Sequence, residues 1–214
     1  MMNKLLAAIG EKYPLTELPT GEFAHLKASG MRFTVRRFDA KGLGAVSAME
    51  ARGFFGLMKM DTLILNPTRV DMPLLSYDRV NAMGNDTLIY ELYDTFLGHT
   101  ALTETEKVKA SHAALPDHDL GSHWYDPIKL GASVSKKGKD HGGFDALVGS
   151  YMAGFLADCA KAAPCDPPRK REKASVYVEG LLKNGGPSTD VFKKALGEEK
   201  TARLFRKILF ATQD

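Results

Sequence analysis

From Met31 to Asp94 the chain runs through successive apolar-rich stretches: MRFTVRRFDA, GLGAVSAMEAR, FFGLMKMDTLILNP, MPLLSYDRVNA and DTLIYELYDT. Lys41-Gly42, Gly53, Pro67-Thr68 and Gly84-Asn85 separate them, each with turn chemistry. Connections this short leave no room for helical crossovers, so the strands pair antiparallel, as a meander of about five or six strands. Leu57, Met58, Met60, Leu63, Ile64 and Leu65 alternate little with polar residues. Such a strand is apolar on both faces and belongs to a sheet covered on both sides.

After Asp94 the period changes. Phe144, Leu147, Val148, Tyr151, Met152, Phe155, Leu156 and Cys159 recur at helical spacing, which predicts a helix with an apolar stripe. Thr103 and Glu106 have capping-box spacing for an earlier helix, and Pro164, Pro167 and Pro168 predict a break before the next. The polar, Gly-rich segment Lys136 to Gly143, KKGKDHGG, reads as a mobile loop. Strands first and helices afterwards predict an α+β fold, a three-layer α/β/α sandwich with the antiparallel sheet in the middle, formed as a single domain over residues 1–214.

Composition narrows the class without naming it. The chain has 214 residues, 44% hydrophobic and 26% charged, which is ordinary for a soluble globular protein. The N-terminal apolar patch meets Glu11 and Lys12 without a small-residue cleavage site, and no segment approaches the ~18 apolar residues of a membrane span. The expectation is a cytoplasmic protein with Cys159 and Cys165 as reduced thiols. Net charge is +3, yet residues 168–210 hold eleven Lys and Arg against five Asp and Glu. That basic segment is either a set of solvated helical faces or a surface that steers an acidic partner. The run RKREK at 169–173 has no interleaved aromatics and no nucleic-acid motif beside it, so nucleic acid is not expected as a partner.

The closing segment, YVEGLLKNGGPSTDVFKKALGEEKTARLFRKILF from Tyr177 to Phe210, is the most specific part of the chain. It resembles the end of the ferredoxin-dependent bilin reductases: a helix, an Asn-Asp turn, a short helix ending at an aromatic-Gly-Glu step, and a last helix ending in Leu-Phe. Asn184, Gly197, Glu198, Leu209 and Phe210 hold those places. VDMPLLSYDRVNAMGNDTLIYELYD resembles the family's sheet centre, with Glu91 where a carboxylate, usually Asp, is expected. SHWYDPIKLGASVSKKG, with Trp124 and Pro127, is similar to the segment that crosses the sheet before a long helix. Where the family has Asp after Asn, this chain has Gly185, Gly186 and Pro187; Asp190 is the acid that could take its place.

The resemblance extends to the red chlorophyll catabolite reductases and implies the same three-layer arrangement. It also implies a tetrapyrrole-reducing oxidoreductase without tightly bound flavin or metal, taking single electrons from ferredoxin and protons from carboxylates and water. By the same resemblance, the substrate lies between the sheet and the C-terminal helices, Asn184 belongs to its site, and ferredoxin docks near the basic segment. A tetrapyrrole-binding or small-molecule-binding protein without turnover is the alternative.

The residues supply chemistry for such a reaction. A carboxylate in a covered sheet loses hydration, which favours its protonated form and makes it a proton donor near neutral pH. Glu91 lies among Leu88, Ile89 and Leu92, and alternation puts Tyr93 on its face. Asp61, inside LMKMDTLILNP, is the second candidate donor; pairing with Arg52 is its structural alternative. Asp94 reads as a turn residue. Arg36, Arg37 and Arg52 could hold the propionates of a tetrapyrrole bidentately, or lie exposed. His112, His118 and His123 with Asp117 and Asp119 fit no standard metal spacing, and PDHDLGSH is turn-rich, so a solvated loop is expected there. No GxSxG elbow, Cys-His pairing or Gly-rich phosphate loop is present.

Overall fold

Strands rich in apolar residues on both faces need helices above and below, and the chain supplies them in two blocks. The computed structural model describes residues 1–213. A first helix, α1 (Met2–Lys12), precedes two short strands, β1 (Leu15–Leu18) and β2 (His25–Ala28). The meander follows as β3 (Met31–Ala40), β4 (Gly44–Gly53), β5 (Met58–Asn66), β6 (Leu74–Ala82) and β7 (Asn85–Tyr93). Helix α2 (Thr103–Ser111), strand β8 (Val134–Gly138) and helix α3 (His141–Cys159) come next. The chain closes with α4 (Pro167–Asn184), α5 (Pro187–Leu196), α6 (Glu198–Arg203) and a π-helical turn, Leu204–Leu209.

The eight strands form one antiparallel sheet in the order β1-β3-β4-β5-β6-β7-β8, with β2 sharing the β3 edge. On one face Val46, Leu63, Leu75, Tyr77 and Tyr90 pack against α1 and α3. On the other, Val35, Met49, Ile64 and Tyr93 meet α4 and the C-terminal turns. The architecture is therefore the expected α/β/α sandwich, and the five meander strands fall where the apolar pattern puts them.

Two local expectations are corrected and a third is made sharper. Lys136 to Gly143 is not a loop. Its first part is β8, registered on β7 by Asp86 opposite Gly138 and Leu88 opposite Lys136, and its end opens α3. The buried stem of Lys136 crosses to Asp117, 2.7 Å away, which is how a lysine sits in a strand beside the core. Helix α2 starts at Thr103 but makes no capping box; Asp158 of α3 accepts from the Glu104 and Thr105 amides at 3.0 and 2.9 Å instead. The break before the next helix is present over 160–166, and Pro167 and Pro168 end it by opening α4, with Asp166 accepting from the Arg169 amide as N-cap. Among the described residues no helix is long and apolar enough to cross a membrane.

The seating of α4 over the sheet rests on a buried ion pair. Lys170 is fully buried, with Nζ 2.9 Å from Asp71 Oδ1 and 2.7 Å from the Thr95 carbonyl. Asp71 also accepts from the Leu97 and Gly98 amides at 2.8 and 2.7 Å. Burial works to raise its carboxyl, yet these donors hold it below the usual carboxylate range. The same burial, acting on an ammonium, lowers Lys170. Removing one member strands the other's charge in protein. We expect Lys170→Ala to lower unfolding free energy by about 3–5 kcal/mol in urea titrations, whereas Lys173→Ala, exposed and in no ion pair among the described residues, leaves it unchanged.

Candidate functional site

Between the sheet and the C-terminal helices lies a cavity of about 240 Å³, open at one side. Its floor is built by register. Thr62 of β5 stands opposite Asp78 of β6, which stands opposite Ile89 of β7; one row along, Ile64, Ser76 and Glu91 are aligned in the same way. Directly paired residues share a face, so Thr62, Asp78, Ser76 and Glu91 all point into the cavity, and Asp78 and Glu91 are diagonal neighbours.

The roof is aromatic. Tyr177 of α4 stacks on Tyr93 with ring centroids 4.0 Å apart, Tyr125 meets Tyr93 edge-on at 5.5 Å, and His123 stacks on Tyr125 at 4.9 Å. Phe205, Leu209 and Phe210 close the far wall. They are held by two buried hydrogen bonds: the Ser47 hydroxyl donates to the Leu209 carbonyl, and the Asn66 amide to the Phe210 carbonyl, each at 2.7 Å. The π-helical turn lets the Phe210 amide reach the Phe205 carbonyl at 3.0 Å, five residues back, and bunches these rings over the sheet.

The loop bearing His123 and Tyr125 is fastened to α4 by Trp124. Its indole donates to the Gly185 carbonyl at 3.3 Å and lies against Gly180, where a Cβ would come within 2.2 Å of the ring. Gly180 is thus required by close approach. Gly185, at φ 82°, ends α4 in the left-handed region and turns its carbonyl to that indole.

Asp78 carries the strongest electrostatic signature here. Protein surrounds its carboxylate, and the surface it keeps faces the cavity. Burial pushes the carboxyl up to about 6; the hydrogen bond from Thr62, at 2.5 Å, pulls the other way, and the charge of Glu91 adds to the rise. Glu91 is 9% exposed. Its Oε2 accepts from the Tyr93 hydroxyl at 2.5 Å, while its buried Oε1 has no hydrogen-bond partner among the described residues and sits 3.7 Å from Lys129 Nζ. Burial drives the Tyr93 and Tyr177 phenols well above their ordinary range, so both remain protonated hydrogen-bond donors.

Glu91 also borders a second, polar cavity of about 240 Å³, lined by His118, Asp119, Lys129, Ser133 and Ser135. The carboxylate therefore separates an apolar chamber from a polar one.

The other residues singled out in the sequence lie elsewhere. Asp61 stands on the opposite face of the sheet, 3.0 Å from Arg52 and one strand from Arg79. Arg36 and Arg52 share that face: Arg36 grips Glu17 at 2.8 Å, and Arg52 bridges Glu50 and Asp61. Asn184 is exposed at the end of α4, and neither it nor Asp190 lines the cavity. Glu91 and Tyr93 are together, as alternation requires. Asp78 was not among the candidates; in LLSYDRVNA it reads as a polar residue at a strand's wet end. Its signal was the two-residue step from Ser76, which puts it on the face of Glu91 once the hairpin is registered. Among the basic C-terminal residues, Lys200 and Arg203 pair with Glu22, and Arg206 with Glu179.

No protein-family model matches the sequence, and no curated protein matches it by sequence. The fold is similar to a solved structure, selenomethionine-labelled phytochromobilin synthase from tomato in complex with biliverdin, with a TM-score of 0.77. The match covers 99% of this chain and 82% of that one at 13% identity. A likeness at that identity is one of fold.

Two outcomes follow from this geometry. A carboxyl raised in the folded state is a stability deficit that appears as pH rises above its unfolded value, near 4, and is complete above about 6. Asp78→Asn should therefore raise unfolding free energy by roughly 2 kcal/mol at pH 7.5 and leave it unchanged near pH 4, as followed by thermal melts across pH. Gly180→Ala should displace the indole of Trp124, the single tryptophan. Its emission should shift to the red while far-UV circular dichroism is retained.

Proposed function

We propose that this protein is an oxidoreductase of the ferredoxin-dependent bilin reductase kind, a divergent relative that binds an open-chain tetrapyrrole in the aromatic-roofed cavity. The observation that carries this reading is the pair Asp78 and Glu91. They are side by side at the centre of a covered sheet, in an apolar chamber, on a fold that phytochromobilin synthase uses to hold biliverdin. The planar rings of Tyr177, Tyr125 and His123 suit stacking on a conjugated ligand. At about 240 Å³ the cavity is smaller than the ~300–1,000 Å³ usual for drug-sized ligands, so part of a tetrapyrrole would emerge through the open side.

In this reading, reduction of one double bond takes up two electrons, delivered singly by reduced ferredoxin, and two protons. Asp78, its carboxyl raised to about 6 by burial, keeps a protonated fraction close to neutral pH that can be passed to a bound ligand. Glu91 is the second donor, with Tyr93 orienting one oxygen and the polar cavity behind it resupplying protons through water. Lys129 balances the negative charge left behind. Ferredoxin, an acidic partner, would dock against α4, whose Arg169 and Lys173 are exposed.

A second reading, a tetrapyrrole-binding protein without turnover, is favoured by one observation. The loop after Asn184 offers glycines where the family has an acid, and Asp190 does not reach the cavity. Titration with biliverdin and related bilins, followed by addition of reduced ferredoxin, separates the two. A shifted visible band supports binding, and reductant-dependent bleaching supports the reductase. Glu91→Gln should keep the band shift and slow bleaching by about 10²-fold or more, while Asp61→Asn, on the other face, leaves the rate unchanged. Equal rates in both variants would make Glu91 structural.

A further inference from the structure

At one end of the sheet four large apolar side chains stand in water. Phe54 and Phe55, in the turn from β4 to β5, are 55% and 109% exposed; Leu57, closing that turn, is 63% exposed, and Met83, in the β6–β7 turn, 86%. The two turns adjoin, since Met58 pairs with Ala82 and the Met83 amide donates to the Leu57 carbonyl at 3.4 Å. Contiguous exposed apolar surface marks an interaction site rather than chance.

The backbone points the same way. Phe54, Phe55 and Met83 have φ of 50°, 56° and 51°, the left-handed region in which a side chain crowds its own carbonyl and Gly or Asn is the ordinary occupant. Three bulky residues thus hold unfavourable conformations that place their side chains outside the core. Nothing in the chain's own packing offsets that cost, which is the pattern of a surface shaped for something else.

Behind these tips runs a row of cations. Lys27 stands opposite Arg32, Arg32 opposite Arg52, and Arg52 opposite Lys59, on four neighbouring strands and one face of the sheet. Like charges so placed repel. Glu50 and Asp61 in the next row satisfy Arg52. Lys27, Arg32 and Lys59 are exposed and make no ion pair among the described residues. The row is therefore missing an anionic counterpart.

We propose that this end of the sheet docks on an anionic lipid bilayer, with Phe54, Phe55, Leu57 and Met83 entering the interfacial layer and the row from Lys27 to Lys59 meeting headgroup phosphates. Protruding tips of this kind suit a deformable surface, because a rigid protein partner would need a cavity matched to them. A second copy of the chain, meeting this one end to end, would press its own cations against these. Apolar anchors joined to a basic row make up the two-part signal that reversible membrane attachment needs. The attachment is peripheral, since among the described residues no helix can cross. The proposal is independent of the tetrapyrrole reading.

Flotation of the full chain with vesicles of phosphatidylcholine, with and without phosphatidylserine, tests it. We expect the phosphatidylserine vesicles to bind roughly tenfold or more tightly, and added salt to weaken that binding. The double variant F54N/F55N keeps residues that tolerate left-handed backbone, so its melting temperature should stay level or rise while vesicle binding falls about tenfold. The double variant R32Q/K59Q should abolish the preference for phosphatidylserine. No flotation with phosphatidylserine vesicles, or binding undiminished in F54N/F55N, would overturn the proposal. So would a wild-type dimer in size-exclusion chromatography that F54N/F55N dissociates while neither form floats.

Discussion

A sheet buried on both faces leaves no solvent beside the polar groups at its centre, and most of what is particular to this chain answers that constraint. Charge in such a place must be neutralised, hydrogen-bonded or given a cavity. On the face covered by α1 and α3 the first two solutions prevail. Asp86, 1% exposed, is gripped by Arg79 at 2.7 Å and His141 at 2.6 Å. Asp61 is held by Arg52, and the phenols of Tyr90 and Tyr151 donate to the Val148 and Ala132 carbonyls. On the face covered by α4 the third solution appears. Asp78 has no cation within ion-pair distance among the described residues and Glu91 only a distant one, and both open on a chamber.

That chamber exists because the C-terminal segment is pinned at its ends rather than packed flat. Lys170 anchors the start of α4 through Asp71, and Ser47 and Asn66 anchor the last turn through the Leu209 and Phe210 carbonyls. Between these fixed points Tyr177 and Leu181 bridge the sheet, and the space beneath them is left open. The aromatic contacts stiffen the bridge: Tyr177 meets Tyr93, Tyr125, Trp124 and Phe210 in turn. Preformed walls of this kind lower the ordering cost of binding a rigid, flat molecule.

The strands of the meander were legible because both-face apolarity and turn residues are local signals. Three strands were not. LTEL, HLKA and VSKKG are short, polar at half or more of their positions and lie on edge pairings, so their strand character comes from partners rather than from propensity. The site was legible only in part for a related reason. Glu91 and Tyr93 share a face by alternation within one strand. Whether Asp61 joins them depends on inter-strand register, and β5 places Thr62, not Asp61, opposite Asp78. A one-residue slip of β5 would put Asp61 in the place of Thr62, beside Asp78. Helix capping shows the same limit, since the donors at the start of α2 are met by Asp158, 53 and 54 residues away in sequence.

The glycines after Asn184 bear on chemistry as well as on shape. Gly185 gives α4 its left-handed end and offers a carbonyl to Trp124, which in turn fixes the loop of His123 and Tyr125 as the cavity's roof. An Asp at that position would be strained, because φ 82° with ψ 179° is backbone open essentially to glycine. The loop thus gains a hinge-free wall and loses an acid. Among the described residues, Asp78 and Glu91 are the carboxylates that line the cavity, and both rise from the sheet. A ligand lying in this chamber would then meet acids on one side and rings on the other. In the reductase reading, carboxylate proton delivery is therefore confined to the ligand edge or face turned toward β6 and β7. That restriction makes the position reduced depend on how the ligand is seated rather than on a choice among acids around it.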